Sequence, residues 1–362
     1  MSQASAIRRR SRTGDTRAAL LFLLPFSVLA LVFILYPVVQ ALYMGFFDWD
    51  LLTQRAQNFG LQNYVTMLGG HGFVWSATHM LTWRVPLLVV AAVVAVGALR
   101  GRGRPLRAGV VVLLLLGLVV ALGFHPGPQG SWNDPRFWAA LQHTIEFTVI
   151  STPLLLALGL AMALAVNRPG RAASWYRGAF FLPYVLPVSV VTLIWIYLYN
   201  PSRGLFASVT SAFGVEPIDY LNSSALAIPA VVLTTVWWTV GFNMVLFVAG
   251  LQDIEPSLYE AASLDGAGRV QSFLNITLPG LRRVMLLVLV TQVVASFQVF
   301  GQIYLMTRGG PGDSSLVLIQ HIYQSGIRDS DLGYASAMSI VLLVLILAVS
   351  LVQLRFFKED DA

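Results

Sequence analysis

A chain of 362 residues that is 57% hydrophobic and only 11% charged lies far from ordinary globular composition. Its net charge of +6 then reads as loop topology rather than nucleic-acid affinity. With no cysteine, disulfides, thiolate catalysis and cysteine metal sites are excluded. The single lysine, Lys358, has no glycine-rich loop before it, which rules out a P-loop and an intramembrane Schiff base.

Several apolar runs suit a hydrocarbon core about 30 Å thick, which needs roughly 20 helical residues. Residues 1–17 form a basic tail holding Arg8, Arg9, Arg10, Arg12 and Arg17. The apolar run over 18–43 exceeds a signal peptide's 7–15 residues and lacks a small-residue cleavage site, so an uncleaved first span is expected. Residues 46–72, with Asp48, Trp49 and Asp50, suit an external loop, completing a segment 18–75. Two apolar runs over 76–99 and 108–124 are joined by a turn holding Arg100, Arg102, Arg104 and Arg107. This reads as a hydrophobic hairpin, 76–131, with a cytoplasmic turn. Further spans are expected at 138–166, 179–199, 225–250, 284–306 and 334–354, with Pro183 and Pro187 kinking the second of these, as a hinge or for packing, and with tail residues 358–362. The fold class is thus an all-α, polytopic membrane helix bundle of about eight spans with both termini cytoplasmic. Seventeen basic residues then lie on the inner side, against Arg55, Arg136, Arg203, Arg308 and Arg328 in outer loops, with Arg84 near a span end.

The longest moderately polar segment between two apolar ones, 253–283, predicts an elbow outside the lipid. Pro256 suits a first helical turn, and Asp253 and Glu255 place negative charge where the helix dipole favours it. A short helix over 257–264 ends at Gly266, a residue suited to a left-handed cap. A second runs over 269–276 before Pro279 starts a long apolar helix.

Glu260-Ala261-Ala262, Gly266 four residues later, then Ile276, Leu278 and Pro279 resemble the EAA loop of ABC importer permeases. Phe181-Leu182-Pro183 with Pro187 and Trp195, Leu258-Tyr259, and Thr307-Arg308-Gly309-Gly310-Pro311 resemble the sugar-type permeases, the maltose and glycerol-3-phosphate group. Asn63-Tyr64 sits where such permeases often place a similar pair. The resemblance covers roughly residues 18–75 and 132–357, a six-span permease core. The hairpin over 76–131 departs from it, standing where maltose-type relatives can carry a soluble external domain. What the resemblance implies is an inner-membrane permease subunit of a binding-protein-dependent importer. Its elbow, including Asp265, docks on an ATPase subunit. Its partners are a second permease, two ABC ATPase subunits that carry ATP-Mg, an extracytoplasmic solute-binding protein and membrane lipid. No nucleic acid is bound, and the chain itself has no cofactor, metal or covalent chemistry.

Transporters commonly hold substrate near the midplane. There the sequence places Trp237, Trp238, Phe242 and Asn243 on one span. The next holds Ser296, Phe297 and Gln298, with Gln302 one turn later. Amides at i and i+4 with flanking rings suit sugar hydroxyls and C–H faces, and equally suit helix–helix bonding. Glu146 is the one acid inside a predicted span. It is read either as a solvated structural group or as part of the path. His143 shares its helical face, but two ligands on one helix cannot close a metal shell. The rivals are an ion-gradient-driven transporter, which usually needs more intramembrane carboxylates, and an ABC permease for another solute class.

Overall fold

The computed structural model describes residues 21–53, 55–76, 78, 80–99, 109, 112–113, 115–117, 119–120, 123–167 and 170–358. The arginine-bearing turn at 100–107, the tails at 1–17 and 359–362, and part of the expected span over 108–124 lie outside them. The chain divides into two compact units.

The first unit joins residues up to Val65 with Ile322–Val341. Helix α1 (Leu21–Met44) contains a π turn at Leu31–Leu35, in which the Tyr36 amide reaches back to Leu31 O. Pro37 follows directly and cannot donate to a carbonyl four residues back, so the wider turn precedes the missing donor. Strands β1 (Asp48–Trp49) and β2 (Ala56–Gln57) form a small antiparallel pair. Beyond them, Asn63 at the start of α2 (Gln62–Leu68) is buried, its amide donating to Gly45 O at 3.1 Å and Phe47 O at 3.0 Å. The Leu51 amide donates to Ser330 O at 2.8 Å. Burial holds the Asp331 carboxyl above its ordinary value of 3.8, while hydrogen bonds from Thr53 hold Asp50 below it.

The second unit comprises Thr66–His321 and the chain from Leu342. Strands β3 (Gly70–Trp75) and β4 (Phe124–Trp132) pair from Gly70↔Trp132 to Trp75↔Phe124, with an irregularity between His71 and Phe73. They close the base of the segment containing α3 (Leu81–Leu99). The chain is therefore predominantly helical but not all-α. The strands escape a pattern reading because β4 is rich in Gly and Pro and lacks alternation; Pro126 and Pro128 are tolerated on a ribbon edge.

Helix α4 (Pro135–Val166) is capped by Asp134, which accepts from the Arg136 and Phe137 amides. At roughly 1.5 Å per residue its 32 residues reach about 48 Å, longer than a hydrocarbon core. The expected span over 179–199 is instead two helices, α5 (Arg171–Val185) and α6 (Val188–Tyr199), meeting at 96°. Pro183 is absorbed within α5; the break falls at Leu186, extended at ψ 138° as the residue before Pro187 is biased to be. After α7 (Leu205–Ala212) comes α8 (Ala227–Gln252), central to the unit and buried on most of its faces. Close approach is bought by glycine: a Cβ on Gly241 would overlap Phe180 O of α5. The elbow helices α9 (Pro256–Leu264) and α10 (Arg269–Gly280) lead into α11 (Arg282–Phe297). The expected span over 284–306 is also interrupted: α11 stops at Phe297 and α12 (Gly301–Met306) starts afresh. Helix α13 (Leu318–Tyr323) is continued by a π turn at Gln324–Arg328, and α14 (Leu332–Lys358) ends the described chain.

Among the described residues, α1, α4, α8 and α14 are each long and apolar enough to cross a membrane, or six spans if each bent pair counts as one. Phe22, Phe33, Leu193 and Val344 stand more than half exposed, faces suited to lipid rather than water.

Candidate functional site

Helix α8 ends at Gln252, and Glu255 caps α9 with extended backbone (ψ 127°) before Pro256 at its first position. At the other end the Ala267 amide donates to Ala262 O at 2.9 Å and the Gly266 amide to Ser263 O at 3.2 Å. This Schellman pair requires a left-handed residue, and Gly266 has φ +77°. The third residue of the Glu260-Ala261-Ala262 run thus supplies the carbonyl that the glycine turn closes. The Gln271 side chain accepts from the Gly268 amide at 2.9 Å and opens α10.

Pro279 does not begin the long apolar helix as expected. It lies in the last turn of α10, after a π turn at Phe273–Thr277 in which the Leu278 amide reaches Phe273 O. The wider turn again precedes a proline, and the 63° bend comes at Leu281. Glu260, Ala261, Asp265, Gly266 and Pro279 are exposed, while Ala262, Ile276 and Leu278 are half-buried. Two residues that sequence reasoning missed dominate the tip: Leu264 is 88% exposed and Val270 70%. Apolar residues flanking a glycine within a polar segment were the available signal. The elbow therefore presents a bent, apolar-tipped surface of the kind another protein covers.

In the spans, the Trp238 indole donates to Leu186 O at 3.2 Å, satisfying a carbonyl freed by the α5/α6 break. Trp237, 38% exposed, meets Trp195 edge-on at 5.8 Å. Phe242 stacks on Tyr184 at 4.7 Å. Asn243 is fully buried and accepts from Gln292 at 2.9 Å, so its partner is a glutamine absent from the expected set. The Ser296 hydroxyl bonds with Ser151 of α4 at 3.1 Å, and Phe297 beside it is buried.

The expected i, i+4 pair of Gln298 and Gln302 does not form on one helix. Gln298 is the exposed C-cap of α11, and Gln302 is buried within α12. The interruption is local: the Val299 amide takes a tight bond to Ser296 O at 3.2 Å. Gly301 then starts the next helix, where an added Cβ would come within 3.0 Å of Val188. Glu146 is half-buried, and helix geometry sets it about 140° around α4 from Ser151. His143 bonds the Leu316 carbonyl at 3.0 Å.

Residues 155–358 match the family described as "Binding-protein-dependent transport system inner membrane component". The sulfoquinovosyl glycerol transport system permease protein SmoG of Agrobacterium fabrum is 30% identical over 349 residues, covering 96% of this chain and 92% of that protein. The trehalose/maltose transport system permease protein MalF of Thermococcus litoralis is 36% identical over 230 residues, covering 62% of this chain and 77% of the relative. Among solved structures, a chain of a bacterial ABC transporter involved in the import of the acidic polysaccharide alginate shares the fold. Its TM-score is 0.70 at 19% identity, covering 98% of this chain and 100% of that one.

Proposed function

The chain belongs to the family of binding-protein-dependent transport system inner membrane components, and from that premise we propose that it is a sugar-type permease subunit of an ATP-driven importer. The solute is a carbohydrate or a related polyol, the class named in the relatives above. A second permease completes the translocation path, two ABC ATPase subunits carry ATP-Mg, and an extracytoplasmic binding protein delivers the solute.

The observation that carries this reading is the Schellman-closed elbow, with Leu264 and Val270 exposed at its tip. Closure of the ATPase subunits displaces that tip; α8 and α11, the two stems, pass the motion to the spans, which alternate between inward and outward access. The apolar runs support about eight spans, two of them in the 76–131 hairpin, and the basic-residue bias favours a cytoplasmic elbow and cytoplasmic termini. For the solute path, the rings of Trp237, Trp238, Phe242 and Phe297 offer apolar faces. Gln298, Gln302, Asn243 and Glu146 offer polar groups, the Asn243 amide once it exchanges its Gln292 partner. Purification in mild detergent followed by mass identification tests the assembly. Recovery of an ATPase and a second permease is expected. Recovery of the chain alone, with uptake abolished by a proton uncoupler at constant ATP, would overturn it.

A further inference from the structure

At the tip of the elbow the Schellman turn at Gly266 joins the two legs, and the chain around it is open to its surroundings. A Cβ on Gly266 would meet nothing within 4 Å, and Ser263, Leu264, Asp265, Gly268 and Arg269 are exposed. Below the tip, contacts step down in register. The Tyr259 and Thr277 hydroxyls share a hydrogen bond of 2.9 Å across 18 residues of chain. Next, Ile254 packs on Gly280, where an added Cβ would come within 2.9 Å of Ile254 Cδ1. Last, Gly250 of α8 lies under Val284 and Leu281, at 2.6 and 3.0 Å from an added Cβ. Two of these contacts are made at glycines that let the descending segments approach closely. The other is a polar tie between α9 and α10, and its Thr277 end is buried at the close of the π turn.

We propose that the Tyr259–Thr277 hydrogen bond is a clamp that makes α9 and α10 one rigid body, so that displacement of the tip reaches α8 and α11 instead of being lost as scissoring of the legs. This rests on the reading of the elbow as the handle of an ATPase subunit. Tyr259 and Thr277 are positioning residues: neither lies at the exposed tip, and both act through the angle they hold. Thr277 suits the task because its hydroxyl also lies 3.5 Å from Ser272 O, which orients it toward its partner at the end of the π turn.

The test uses the complex purified with its ATPase. Because the chain has no cysteine, spin labels are placed through Leu258→Cys and Leu274→Cys, one on each leg, and in a second sample through Leu233→Cys and Leu287→Cys on the stems. Loss of one net hydrogen bond corresponds to a rise of about fivefold in the scissored population. Tyr259→Phe and Thr277→Val are therefore expected to broaden the leg-to-leg distance distribution and to shrink the ATP-dependent change between the stems. Thr277→Ser, which keeps the hydroxyl, restores both. A narrow distribution with a full stem response in Thr277→Val, or Thr277→Ser behaving like Thr277→Val, overturns the clamp. Leu264→Asp separates the two ideas. If it releases the ATPase while the clamp variants behave as the native chain, the clamp alone fails; if the ATPase stays bound, the handle reading fails first.

Discussion

Substitution of Gly266 isolates the backbone requirement of the elbow. The residue sits at φ +77° with open space around its missing side chain, so a substitution meets no clash and its cost is conformational alone. A left-handed backbone costs an L-residue roughly 1–2 kcal/mol, less for Asn or Asp. That is a shift of roughly five- to thirtyfold away from the closed Schellman turn. Membrane levels should be native, because no packing is lost. Retention of the ATPase after mild-detergent purification should fall in the order Gly, Asn, Ala, Val. Gly266→Asp adds a charge beside Asp265 and is expected to leave ATP hydrolysis running uncoupled from uptake. If Ala and Val held the ATPase as well as Gly, the turn would not be what presents the tip, and the reasoning would be refuted.

Asn243→Leu or Gln292→Leu alone strands a buried amide and should cost about 1–3 kcal/mol in detergent thermal stability, whereas the double Leu variant should cost less than either. Gly241→Ala drives a methyl group into backbone at Phe180 and should sharply lower the amount of folded protein. Gly178→Ala, in open space on the same α5 helix, should be neutral or slightly stabilising. Asp331 has its carboxyl pKa raised by burial, so its protonated form favours folding; that contribution is present below the ordinary value of 3.8 and fades as pH rises through the raised one. Asp331→Asn, which keeps an acceptor for the Tyr334 amide, should therefore raise the melting temperature at pH 7 and change it little near pH 3.8. Equal effects at both pH values would contradict the assignment.

How much was legible follows from how local each constraint is. The elbow could be read because Pro256, Gly266 and the acids around them answer to dihedral angles and dipoles within a few residues. Of the broken spans, the one over 179–199 was marked for a kink by Pro183 and Pro187, which remove backbone donors; the one over 284–306 was not marked. Apolar sequence is continuous through Leu186 and through Val299, and hydropathy does not register a 96° turn. Pro183 and Pro187 looked equivalent, yet the helix absorbs one and breaks at the other, with Trp238, half a hundred residues on, satisfying the freed carbonyl. The Asn243–Gln292 and Ser151–Ser296 bonds join residues 49 and 145 positions apart, a separation that carries no periodic signal. The β3/β4 ribbon was hidden by its Gly and Pro content. The family motif at Gly309–Pro311 was legible as a turn; its left-handed Arg308, Gly309, Gly312 and Asp313 were not.

The central claim is that the elbow lies on the cytoplasmic side and is gripped there by another protein. Since the chain has no cysteine, Asp265→Cys provides a single thiol at the tip. A membrane-impermeant maleimide should label it in inverted vesicles stripped of peripheral subunits and not in intact cells, and rebinding the ATPase should protect it. Labelling from outside intact cells would contradict the account.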